Sequence, residues 1–145
     1  MITDKLLKVS SAQAVTATAN STDVIDLSQN RDVGAGEDVY FHFSVDESVA
    51  AAGAATVDLQ VVVSDAAALT SPVVVACSGS VAKAELVAGK RIALCVSPMI
   101  ESAGKRYMGV RYVVGTGPLT AGKFTAQVVK DVQDYKVYPV GSVVL

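Results

Sequence analysis

The sequence predicts an all-β domain, a sandwich or jelly roll of about eight short strands with extended N- and C-terminal arms. Three observations carry that expectation. First, residues 54–64 read Ala-Ala-Thr-Val-Asp-Leu-Gln-Val-Val-Val-Ser. Val57, Leu59, Val61 and Val63 fall on one side while Thr56, Asp58, Gln60 and Ser64 fall on the other, and a period of two marks a strand with one face in a core. Second, Val occurs 27 times against 9 Leu and 4 Ile, with 9 Thr; β-branched side chains are stiff at χ1 and suit strands. Third, Gly- and Pro-bearing turns punctuate the chain at short, regular intervals, the pattern of a sandwich or barrel. No repeat of 20–50 residues is visible, which removes solenoids and propellers.

The 145 residues form one domain that needs no disulfide or metal for stability. A formal charge of -2 gives no electrostatic footprint for nucleic acid. Lys90-Arg91 and Lys105-Arg106 read as solvated turn residues rather than phosphate sites. No apolar run approaches the roughly 18 residues of a membrane span. The N-terminus lacks the positive-then-apolar layout of a signal peptide, so the expectation is a protein made in the cytosol and kept there or assembled into something larger.

In chain order, residues 1–22 show no apolar stripe at helical spacing and read as an extended arm that pairs late or packs on a neighbour. Residues 23–27 form a short strand and 29–38 a charged, Gly-bearing loop. Residues 39–45 alternate cleanly, with Val39, Phe41, Phe43 and Val45 inward. Residues 46–53 form a loop, and the strand of residues 54–64 follows. After a turn over 65–72 comes a near-continuous apolar run at 73–78, expected where both faces are covered. Ser78-Gly79-Ser80 then turns the chain into a short return at 81–86. Residues 91–96 place Ile92, Leu94 and Val96 inward. Residues 97–106 are an irregular loop, and 107–114 a strand with Met108, Val110, Tyr112 and Val114 on one face. Residues 115–122 turn, and 124–132 close a core domain spanning 23–133. Residues 134–145 are a second arm, too apolar for a solvated tail.

No catalytic constellation emerges. His42 falls on the outer face between polar neighbours, with no Ser, Cys or carboxylate spaced to orient it, so it reads as a surface or interface residue. Asp46 and Glu47 are adjacent and point apart, unlike the opposed carboxylates of acid/base catalysis. One His and two Cys without a Cys-x-x-Cys leave no metal site. Cys77 and Cys95 read as free buried thiols. The expectation is no enzyme, no cofactor and no metal.

Several segments carry a family resemblance: Ala12-Gln13-Ala14-Val15-Thr16, Asp23-Val24-Ile25-Asp26-Leu27, Ala51-Ala52-Gly53-Ala54-Ala55-Thr56, Leu86-Val87-Ala88-Gly89, Lys105-Arg106-Tyr107 and the run from Thr116 to Lys123. With Ser64-Asp65, Ser78-Gly79, residues 131–135 and Tyr138-Pro139, their order resembles the capsid-stabilising (cement or decoration) proteins of tailed bacteriophages, the family typified by the cement protein of a Bordetella phage. The resemblance implies a β-sandwich of jelly-roll type that self-associates as a homodimer, a trimer being the other option. It further implies copies on the capsid exterior that tie major capsid proteins together, made in the host bacterial cytoplasm, with no nucleic-acid or membrane partner. The alternative is a glycan- or receptor-binding β-sandwich module, which the absence of Trp disfavours. Candidate partner contacts are Tyr135, Val137, Tyr138 and Val140 in the C-terminal arm. Val62 joins them as the apolar residue out of pattern on an otherwise polar face.

Overall fold

The computed structural model describes residues 3–30, 36–97 and 105–132. Among the described residues lie nine strands: β1 (Lys8–Ala14), β2 (Ala19–Asn20), β3 (Ile25–Asp26), β4 (Val39–Ala50), β5 (Thr56–Ser64), β6 (Val73–Ala82), β7 (Arg91–Val96), β8 (Tyr107–Gly115) and β9 (Ala121–Val129). Single 3-10 turns lie at Lys5–Leu7 and Lys83–Glu85. One sheet, A, runs β1-β9-β4-β7. The other, B, runs β2-β8-β5-β6, with β3 beside β2 along β8. All pairings are antiparallel. Counting β2 and β3 as one interrupted strand gives eight strands in two four-stranded sheets, the jelly-roll arrangement.

The core lies between the sheets and follows the alternation of the sequence. Phe41, Phe43 and Val45 of β4 meet Val57, Leu59, Val61 and Val63 of β5, with Val110 and Tyr112 of β8 and Phe124 of β9. The Tyr112 ring packs edge-on to Phe43 at 6.4 Å between centroids, and lies tilted against Phe124 at 5.2 Å. Such pairs add to the area that the rings bury.

Four local expectations are corrected. The N-terminal segment is part of the sandwich: β1 pairs with β9, and Val9 and Val15 are fully buried core residues. The core therefore begins at Val9 rather than at residue 23. Strand β4 does not end at Val45 but continues to Ala50, through register shifts at Val45/Glu47 and Glu47/Ala50 that absorb its loss of alternation. Ser78-Gly79-Ser80 is no turn. Asp58 pairs with Ser80 and Gln60 with Cys77, so two residues of β6 oppose Leu59 alone, and Gly79 takes φ 71° at this bulge. The apolar run 73–78 is not covered on both faces, since β6 is the edge of sheet B and Val73 and Val74 are 40% and 45% exposed.

Candidate interaction surfaces

The two outer faces of the sandwich differ from what alternation implies. On sheet B, Thr56, Asp58 and Gln60 are half-buried and point outward. Gln60 Nε2 donates to Asp58 Oδ2 at 2.7 Å. The Ser78 hydroxyl accepts from Leu59 N at 3.0 Å, which ties the β6 bulge to this row. Asp58 and Gln60 of this row are thus linked side chain to side chain.

Val62 is a correction. Read as an apolar side chain on a wet face, it is 0% exposed. It lies opposite Gly109 of β8, so the two share the outer face. Glycine leaves room there. A β-carbon on Gly109 would stand 2.7 Å from Leu69 Cδ1, 2.9 Å from Ser21 Oγ and 3.4 Å from Val24 Cγ1. Leu69, 1% exposed, and the Ser21–Val24 stretch therefore roof this part of sheet B and form a small second apolar cluster. The roof is held in place by Asn20 Nδ2, which donates to the Ala68 and Leu69 carbonyls at 3.1 and 3.3 Å, and by Ser64 Oγ, which donates to Thr70 O at 2.8 Å. Leu69 and Ser71 adopt φ 53° and 46° within it, uncommon for residues with side chains. A partner cannot add to the burial of Val62, because its own chain already covers it. The missed signal was Leu69, an apolar residue inside a turn-like stretch.

His42 is also corrected: it is 5% exposed on the outer face of sheet A, between Gln127 and Ala93. Its Nδ1 makes no hydrogen bond among the described residues. Burial, and secondarily the Arg91 charge, pull its pKa below the usual histidine value. Cys77 and Cys95 are free, as expected, but exposed rather than buried. Cys95 is open overall, yet desolvation of its sulfur and the neighbouring Asp38 carboxylate push its thiol pKa up, opposite to an activated nucleophile.

Two recesses mark the surface. An apolar one of about 370 Å³ is lined by Leu7, Val39, Val128 and Val129, with Glu37, Asp38 and Lys130 at its rim. A more polar one of about 430 Å³ lies between Thr18–Asn20, residues 69–72 and Arg111. Among the described residues no group of three or more His, Cys, Asp or Glu could hold a metal ion, and no helix is long and apolar enough to cross a membrane. Ion pairs such as Arg106–Asp26 (2.8 Å) and Lys123–Glu47 (2.7 Å) lie on the surface and pin neighbouring strands. Tyr135, Val137, Tyr138 and Val140 lie outside the described residues.

A protein-family model described as Bbp16 matches residues 9–128. The chain belongs to the Bbp16 family. That name suggests a protein of a Bordetella phage. The Bbp16 match opens at Val9, the first buried residue of β1, and closes at Val128 in β9, so it embraces the whole sandwich. A search of curated proteins returned no match.

Proposed function

We propose that this chain is a structural virion protein that binds the outside of an icosahedral phage head, as a homo-oligomer, and stabilises the shell of major capsid protein. The observation that carries the proposal is membership of the Bbp16 family across the entire sandwich. The jelly roll suits the role, because two sheets packed across one apolar core make a compact block whose edges and outer faces can meet different partners.

The physical logic is multivalency. Each copy contributes modest contacts, and a copy that touches several shell subunits makes its second and later contacts intramolecular, at high effective concentration. The apolar residues Tyr135, Val137, Tyr138 and Val140 are proposed contacts, since Tyr couples a large apolar area to a polar tip and is enriched in interface cores. A chain ending at residue 133 should then remain folded and attach less strongly to shells.

The test is mass spectrometry and electron microscopy of purified particles. The chain should co-purify with heads in a fixed ratio to the major capsid protein, with density on the outer surface. Particles free of the chain would overturn the proposal.

A further inference from the structure

Several surface cations of this chain are held by its own groups. Lys105, Arg106, Lys123 and Lys130 each meet a carboxylate at 2.7–2.9 Å, and Lys83 Nζ donates to the Ala51 carbonyl. Arg111 is different. It lies half-buried on β8, an interior strand of sheet B, opposite Asn20 of β2 on one side and Gln60 of β5 on the other. Among the described residues its guanidinium makes no ion pair and no hydrogen bond. Asp58, a carboxylate on the same outer face, is engaged by Gln60 Nε2 at 2.7 Å. Arg111 instead lines the polar recess of about 430 Å³ between Thr18–Asn20 and residues 69–72.

We propose that this recess is a docking site for a carboxylate, supplied by an acidic loop of a protein partner, with Arg111 as its anchor. A guanidinium presents parallel N–H donors in a planar fork that matches one carboxylate. The walls add the hydroxyls of Thr18, Thr70 and Ser71. Thr18 Oγ1 accepts from Val114 N at 3.0 Å, which leaves its own proton to donate. The walls are fixed before any partner arrives. Asn20 Nδ2 holds the Ala68 and Leu69 carbonyls, Ser64 Oγ holds Thr70 O, and Leu69 is buried against sheet B. A preformed recess loses little freedom on binding.

Charge and size select the occupant. Nucleic acid is held by several cations along a stripe. Here one guanidinium stands on a face that also carries Asp58, in a chain of net charge -2, which suits a single carboxylate and opposes a more highly charged anion. The volume is on the scale of a small-ligand pocket rather than a flat protein interface, so the partner inserts a short segment. In the proposed virion role that segment belongs to the outer surface of the shell. The source of the carboxylate rests on that reading; the chemistry of the recess does not.

Two measurements test the assignment. On the free full chain, amide NMR spectra at low salt are titrated with acetyl-Glu-Glu-amide, with acetyl-Gln-Gln-amide and with inorganic phosphate. The Glu peptide should give saturable shifts at residues 18–20 and 69–71 and at Arg111, the Gln peptide none. Arg111→Gln should abolish them while the rest of its spectrum stays folded. The second measurement is co-sedimentation with shells purified free of the chain. Arg111→Gln should raise the dissociation constant roughly ten-fold or more. Arg111→Lys should recover part of that loss, since it keeps the charge without the fork. Lys90→Gln, which removes an exposed charge from the turn before β7, should stay within about two-fold of the parent. A recess untouched by the Glu peptide, or one that phosphate fills more tightly, would overturn the carboxylate site. Shells that bind Arg111→Gln as tightly as the parent would overturn its use against the shell. Shells that bind no parent protein would overturn the virion role itself, while the peptide titration still decides the recess.

Discussion

Leu69 Cδ1 lies 2.7 Å from the point where a side chain on Gly109 would begin. The absent side chain of one residue is the seat of the other, and the roof over sheet B depends on it. Gly109→Ala should lower stability by about 1–3 kcal/mol in denaturant unfolding, the usual cost of overpacking. The Ser21 side is the stiffer wall, since Ser21 Oγ accepts from Val110 N at 3.1 Å. With Leu69→Ala added, the two costs should fall short of their sum by roughly 0.5–3 kcal/mol, as expected of residues in contact. Strict additivity would show that the two do not meet.

Val62 gives a direct comparison between a wet and a roofed position. Val62→Ala should cost about 1–3 kcal/mol, because buried methyl groups leave a cavity, and Val62→Asp should abolish cooperative folding. Solvent-facing substitutions usually stay within about 0.5 kcal/mol. A neutral Val62→Ala, measured by urea titration, would place the residue back on an open face.

Tyr112 buries its whole side chain at the centre of the core, and among the described residues its hydroxyl makes no hydrogen bond of good geometry, Ser10 being its polar neighbour. An unpaired buried hydroxyl carries a desolvation cost. Tyr112→Phe should therefore change stability by less than about 1 kcal/mol, or raise it, while Tyr112→Ala should cost roughly 3–5 kcal/mol. Burial pushes the phenol pKa upward. The folded state thus holds this proton more tightly than the unfolded chain, and stability should decline as pH rises past about 10, the ordinary tyrosine value. Tyr112→Phe should remove that decline.

His42 sets a dependence near neutrality. Its folded pKa lies below the ordinary value of 6.5 because burial, then Arg91, oppose the charged form. The unfolded chain binds more protons in that window, so stability should fall as pH drops through 6.5 towards the folded value. Chemical denaturation across this range should show a shallower slope for His42→Gln.

Asp26 acts lower on the scale. Arg106 grips its carboxylate through Nε and a terminal nitrogen, each at 2.8 Å, and Ser28 N adds a third donor at 2.7 Å. The side-chain bonds from Arg106, then the backbone N–H of Ser28, hold the Asp26 pKa at about 2 against an ordinary 3.8. Its contribution is present above pH 3.8 and should be lost as pH falls towards 2. The pair is half exposed and weakened by salt. Asp26→Asn should flatten this acid limb, read by circular dichroism at low ionic strength.

Much of the sandwich was legible because a strand writes its burial into the sequence with a period of two. The inward faces of β5, β8 and β4 as far as Val45 follow directly from that alternation, and those strands form the core. Gly79 shows the limit. A glycine between two serines carries the same local signature in a turn and in a bulge, and only the partner strand, which sets two residues of β6 against Leu59, distinguishes them. The expected N-terminal arm is a second case: Val9 and Val15 lack a visible period, yet pairing with β9 draws them into the core.

By itself the sequence determined the fold class, the inward rows of the main strands and the resemblance to phage capsid-stabilising proteins, since each is carried by residue type, order and spacing along the chain. Tertiary structure alone decided which strands are edges and which outer positions are roofed. Val62 and Val74 make the point: both are valines on apolar runs, but one lies beneath Leu69 opposite a glycine while the other stands 45% exposed at a sheet edge. Alternation records which way a side chain points. What it meets there depends on contacts between residues far apart in the chain, which no local pattern encodes.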